Sequence, residues 1–271
     1  MIAQPLDNLN LPARHIRALT RRQRRQRQRI LLACFAVLLM TAGLFALMLL
    51  SETQILPEEI AWPTPKSGRT IDDVPYISQI GEFPTGCESV SATMVLQYYG
   101  FAVTPGAFID GFLPLGDAPQ EDSFGQWTGC DPWEAFPGDP RSEDGWGCYA
   151  PVMETALNAY LEGSGYEAEY LAGLSLDTLC ETYIDNDTPV LLWATIDMDE
   201  PYAGLTWTVP ESGREITWIG PLHCLVLTGY DADGYRFNDP LAGADVWYDK
   251  DAVETAYTAL SEQAVVVQSI Q

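Results

Sequence analysis

The chain has 271 residues, enough for one or two domains with a full hydrophobic core. Its charge is segregated: eight of the fourteen basic residues lie between Arg14 and Arg29, whereas from residue 51 onward six basic residues stand against thirty-seven acidic ones, a net charge of −31. A surface of that sign repels nucleic acids and other polyanions, which argues against them as partners, and suits neutral or cationic ligands.

Residues 1–29 end in RRQRRQRQR and read as a basic cytoplasmic segment. ILLACFAVLLMTAGLFALMLL, residues 30–50, follows without a charged residue. A helix of that length spans roughly 30 Å, the depth of a bilayer's hydrocarbon core. A cleavable signal peptide has a shorter apolar stretch and an A-x-A-like exit, and SETQILPEE offers none. A lipoprotein signal at Cys34 also fails, because almost no apolar stretch separates Arg29 from it. The arginines are expected to stay inside the cell. This predicts a single-pass anchor in the cell membrane, with the N-terminus cytoplasmic and residues 51–271 extracellular. Release of the outer part by processing is the alternative.

Residues 51–70 hold three prolines without clean periodicity and read as a stalk. The domain predicted over 71–271 opens with the extended IDDVPYISQ, then a helix in PTGCESVSATMVLQYYG (84–100). Its apolar or small residues at 87, 90, 91, 94, 95 and 98 make one buried stripe, and Gly100 suits its end. Thr85-Gly86-Cys87-Glu88 fits a T-x-x-E capping box, which places Cys87 in the first turn. Residues 101–149 are rich in Gly, Pro, Asp and aromatics and predict long ordered loops. Helices are expected at 150–163, 175–186 and 250–260, and strands at 188–196, 214–219, 223–231, 235–239 and 264–270. Helices first and an antiparallel sheet afterwards predict an α+β domain.

Five cysteines lie in the outer part, at 87, 130, 148, 180 and 224. A Cys130–Cys148 bridge would close a loop of about eighteen residues and contribute ~3 kcal/mol in the chain-entropy picture; the sequence leaves that pairing open. With no C-x-x-C pair and no histidine cluster, neither a zinc site nor a cofactor is expected. The runs Asp197–Asp199 and Asp231–Asp233 read as turns, since each lacks the rest of a calcium loop. Trp127, Trp133, Trp146 and Trp207 read as packing residues, with a substrate groove as the other possibility.

A cysteine in the first turn of a helix has its thiolate favoured by unpaired N–H groups and the helix dipole. A thiolate nucleophile needs a base and proton shuttle, and His223 is the only histidine after residue 51. It opens the strand HCLVLTGYD, and a hairpin near 232–233 brings Asp239 back toward the same end. Asp239 is therefore placed to orient the imidazole. Cys224, the next residue on the strand, is expected to face the core.

The stretches VPYISQ (74–79), PTGCESVSATMVLQYYG (84–100), GDPRSEDGWGCYAPV (138–152), HCLVLTGYD (223–231) and FNDP (237–240) together resemble the papain-like cysteine peptidases. The likeness is greatest to family thirty-nine, the bacteriocin-processing double-glycine peptidases, and their stand-alone bacterial relatives. It implies a papain-like fold with N-terminal helices packed on an antiparallel sheet. By it Cys87 is the nucleophile, His223 the base, Asp239 its orienter and Gln79 an oxyanion-hole donor beside the Cys87 N–H. Gln79 stands eight residues before Cys87, where bacteriocin-processing members commonly have six. The extra residues imply either a bulged loop or a different donor.

These readings imply thiol-dependent hydrolysis of peptide bonds outside the cell, with a peptide or protein substrate. No G-x-x-x-x-G-K-[ST] motif occurs, so a leader peptide of an exporter does not follow as the substrate. The alternative is a catalytically silent or acyl-transferring papain-like module that binds peptides at the cell surface. Oligomeric state is not legible.

Overall fold

The computed structural model describes Arg29, Leu32, residues 37–41 and residues 68–270. The chain divides into two compact units, Met1–Thr64 and Pro65–Gln271. In the first, Leu32 and residues 37–41 are helical and exposed. The rest of the predicted span, the basic segment apart from Arg29, and nearly all of the predicted stalk lie outside the described residues. Among the described residues no helix is long and apolar enough to cross a membrane.

The second unit runs, in chain order, through β1 (Arg69–Thr70), α1 (Cys87–Tyr98), α2 (Pro105–Phe112), β2 (Leu115–Gly116), β3 (Gln120–Glu121), β4 (Trp127–Thr128) and β5 (Phe136–Pro137). It continues with α3 (Ala150–Leu161), β6 (Tyr166–Ala172), α4 (Leu176–Thr182), β7 (Val190–Thr195), β8 (Tyr202–Thr208) and β9 (Glu215–Gly220). The last elements are β10 (Leu222–Tyr230), β11 (Gly234–Asp239), β12 (Gly243–Asp249), α5 (Lys250–Ala259) and β13 (Gln263–Ser269).

Six strands form an antiparallel sheet in the order β12-β11-β10-β7-β13-β6, and β1 pairs with the far end of β10 as its seventh member. Strand alternation divides the apolar residues between two faces. Leu191, Trp193, Cys224, Val226, Val265 and Val267 join the core under α1 and α3. Val190, Leu192, Leu225, Leu227, Ala264 and Val266 join the opposite core with α4 and α5. The sheet is thus covered on both sides, which is why β7, β10 and most of β13 are buried along their length.

The predicted helices and strands all occur, with shifts of a few residues at their ends. Gly100, at φ +86°, supplies the left-handed turn that ends α1. Between 101 and 149 the chain is mostly irregular, as its composition implies, but α2 interrupts it. Thr104 caps that helix by accepting from the Ala107 N–H, with Pro105 at its first position. Besides the two-residue strands β1 to β5, of which β1 lies in the predicted stalk, three longer strands are additional: β6, β8 and β12. Each alternates burial with exposure or is largely exposed, so none carries a dense apolar run. A smaller sheet, β3-β4-β8-β9, stands beside the main one.

Candidate active site

Helix α1 begins at Cys87, but not through a capping box. Its N-cap is Gly86 and no side chain caps it. Thr85 instead donates to the Ser142 carbonyl, 3.0 Å away, and Glu88 turns inward. The loop 139–148 packs on this end of the helix and takes both side chains for tertiary contacts. A Cβ on Gly145 would come within 2.2 Å of Thr85 Oγ1, so only glycine permits that approach.

Cys87 is 6% exposed, and its thiol meets Glu88 Oε2 at 3.3 Å. Burial pushes the thiol well above its ordinary range, Glu88 pushes it further, and a backbone hydrogen bond from Cys224 acts the other way. The first-turn position alone predicts a lowered value. Here desolvation and a neighbouring carboxyl outweigh the helix terminus.

His223 stands near the start of β10, the residue before the peptide that touches Cys87. Its Nε2 lies 2.7 Å from Asp239 Oδ1, both residues being 1% exposed. Asp239 also accepts from the Leu241 N–H at 2.8 Å and the Tyr248 hydroxyl at 2.7 Å. Burial alone would raise its pKa, but His223, Tyr248 and the Leu241 N–H together bring it down to about 2. His223 Nδ1 is buried and has no hydrogen-bond partner among the described residues. The hairpin therefore joins His223 to Asp239 as the sequence predicts, and it adds Tyr248 from the unpredicted strand β12.

Gln79 is buried and held beside Asp239, its N–H donating to the Pro240 carbonyl at 3.0 Å. The extra residues before Cys87 are taken up by turns closed by Phe83 N–H to Gln79 O and Gly86 N–H to Phe83 O. Gln79 Nε2 donates to the carbonyls of Phe83 and Pro84, at 3.2 and 3.1 Å, so its amide is engaged with the loop. Oε1 is buried and has no partner among the described residues.

The residue that sequence reading placed differently is Glu88. Fully buried, it accepts the Cys148 N–H at 2.7 Å through Oε1 while facing Cys87 through Oε2. Burial raises it to about 7, the Cys148 N–H drawing it part of the way back. Its position beside the cysteine was visible in the sequence, its direction was not.

Cys130 and Cys148 are not bridged; Cys148 is wholly buried and Cys130 partly so. Cys224 faces the core as expected, beneath α1, where its carbonyl accepts from Ser91. Trp207 packs in the core and donates to the Cys130 carbonyl. Trp127, Trp146 and Trp218 line a cavity of about 660 Å³ together with Glu143 and Asp144. Asp231 accepts from the N–H groups of Asp233 and Gly234 in the β10–β11 turn. No cluster of metal-binding side chains occurs among the described residues.

A cysteine opening a helix, packed on an antiparallel sheet that carries a buried histidine–aspartate pair, defines a papain-like cysteine-peptidase fold. Residues 71–265 match the Peptidase_C39 like family along most of the chain, and the chain belongs to that family. It is 28% identical over 185 residues to protein YvpB of Bacillus subtilis, itself described as uncharacterized, covering 68% of this chain and 69% of that protein. It is also similar to a crystal structure from Bacillus anthracis described as a C39-like peptidase. That likeness has a TM-score of 0.63 and 24% identity, over 75% of this chain and 98% of the other.

Proposed function

We propose that the protein is a cysteine peptidase that hydrolyses peptide bonds outside the cell. The observation carrying this is the His223–Asp239 pair, 2.7 Å apart and buried, with His223 Nδ1 left unpartnered one residue from the peptide that touches Cys87. Cys87 Sγ attacks the scissile carbonyl, forming a C–S bond. His223 hands a proton from Nδ1 to the leaving amine, and the C–N bond breaks. Water then attacks the thioester, giving its proton back to His223 and releasing a carboxylate and the free thiol. Asp239, kept ionised, holds the imidazole through Nε2. The Cys87 N–H and the Gln79 amide receive the oxyanion, Gln79 exchanging its loop carbonyls for the substrate oxygen.

Extracellular placement is supported by the arginine cluster before an uncharged segment of 21 residues and by the net charge of −31 beyond it. A second reading, a silent peptide-binding module, draws on the burial of Cys87 and its raised thiol. Iodoacetamide labelling of the full chain, resolved by peptide mass, separates the two. The peptidase reading expects Cys87 to react well below pH 7 and at least about tenfold more slowly in His223→Ala. A Cys87 that ignores loss of the histidine, together with no peptide turnover, supports the silent module.

A further inference from the structure

Glu88 is a fully buried carboxyl in contact with the sulfur that the peptidase reading makes the nucleophile. A carboxyl serving only as a clamp needs one oxygen for the Cys148 N–H; here the second oxygen is spent on Sγ. The groups around it come from three elements. Cys87 lies on its own helix, Cys148 in the loop entering α3, and Cys224 on β10, with His223 and Asp239 beyond Cys224. None of the three thiols offers Glu88 a positive charge. Its ionisation therefore places an uncompensated negative charge 3.3 Å from the sulfur.

We propose that Glu88 is a catalytic residue that governs the charge of Cys87: protonated, it donates through Oε2 to the Cys87 thiolate; ionised, it accepts from the Cys87 thiol and keeps the sulfur unreactive. The proton balance is closed within the centre. In the reactive form Glu88 carries one proton, the sulfur none, and His223 is doubly protonated. When the centre loses one proton, Glu88 becomes a carboxylate and His223 returns its Nδ1 proton to sulfur. The Sγ–Oε2 contact of 3.3 Å is common to both forms, and the burial that pushes the thiol up favours the second. The raised pKa of Glu88, about 7, puts the exchange near neutrality. Reactivity thus belongs to the acidic side of neutral, and its alkaline limb is set by a residue outside the Cys-His-Asp set.

This inference rests on the peptidase reading for the roles of Cys87 and His223, and its test needs no peptide. Iodoacetamide alkylation of Cys87 in the full chain is followed from about pH 5 to about pH 8 in wild type, Glu88→Gln and His223→Ala. Glutamine keeps an oxygen for the Cys148 N–H and offers the sulfur a permanent N–H donor. Wild-type alkylation is expected to fall about tenfold from about pH 6 to pH 8, while Glu88→Gln keeps its rate across that interval. A Glu88→Gln profile that follows wild type overturns the proposal, leaving Glu88 a clamp. Loss of alkylation at every pH in a folded Glu88→Gln protein also overturns it, because the carboxylate is then the base. Should Glu88→Gln not fold, thiolate ultraviolet absorbance of wild type minus Cys87→Ala decides. A decrease from about pH 6 to 8 supports the proposal and a steady increase overturns it. His223→Ala reports separately on the peptidase reading, which fails if that variant alkylates like wild type.

Discussion

Asp239 and Glu88 are both buried carboxyls, and their surroundings push them in opposite directions. Asp239 accepts from an imidazole, a phenol and backbone N–H groups, and is lowered to about 2. It therefore stabilises the folded state above about pH 4, and that contribution, about 2 kcal/mol, is lost as pH falls toward 2. Glu88, held at about 7, acts with the opposite sign: the folded state binds its proton more tightly than the unfolded chain. Stability falls by about 3 kcal/mol as pH rises from about 4.5 to 7. Urea unfolding across pH should show both slopes, Asp239→Asn flattening the acid one and Glu88→Gln the other. The His–Asp pairing was legible from one histidine, one hairpin and the chain direction. The role of Glu88 was not, because a T-x-x-E pattern specifies a local cap and cannot register a loop sixty residues away.

At the level of elements, the approach of the loop 139–148 to the start of α1 depends on glycines that local patterns do not single out. Gly147 has φ +145°, and a Cβ there would lie 2.8 Å from Glu88 Oε1 and 3.1 Å from Leu222 Cδ2. Gly147→Ala should cost roughly 2–4 kcal/mol in unfolding free energy, combining backbone strain with displacement of buried groups. Gly163, at φ +72° with open space around it, provides the comparison. Gly163→Ala should cost only about 1 kcal/mol, the left-handed backbone alone. Equal losses in chemical denaturation would show that the approach itself adds nothing. The central strands were legible because both faces of the sheet are covered and their apolar runs are dense. Strands β6 and β12 lie at the sheet edges, and β8 is half solvated in the small sheet, so their patterns are weak.

For the whole molecule, the segregation of charge and the uncharged run 30–50 lead to a cellular prediction. Expressed full-length, the protein should sediment with membranes and resist alkaline carbonate, whereas a chain lacking residues 1–50 should not. Recovery of a soluble fragment the size of residues 51–271 would instead indicate release. The order cysteine, histidine, aspartate, the helix opening at Cys87 and the α+β class are properties of the sequence alone, since they depend on periodicity, turn chemistry and chain direction. Tertiary structure decided which groups meet the sulfur, that Gln79 is engaged by its own loop, and that Cys130 and Cys148 stay unbridged. The groups that hold these residues in place, Cys148 against Glu88, Cys224 against Cys87 and Pro240 against Gln79, come from segments far apart in the chain. Burial, which sets the titration of Cys87 and Glu88, exists only once the sheet, α1 and the loop before α3 have closed around them.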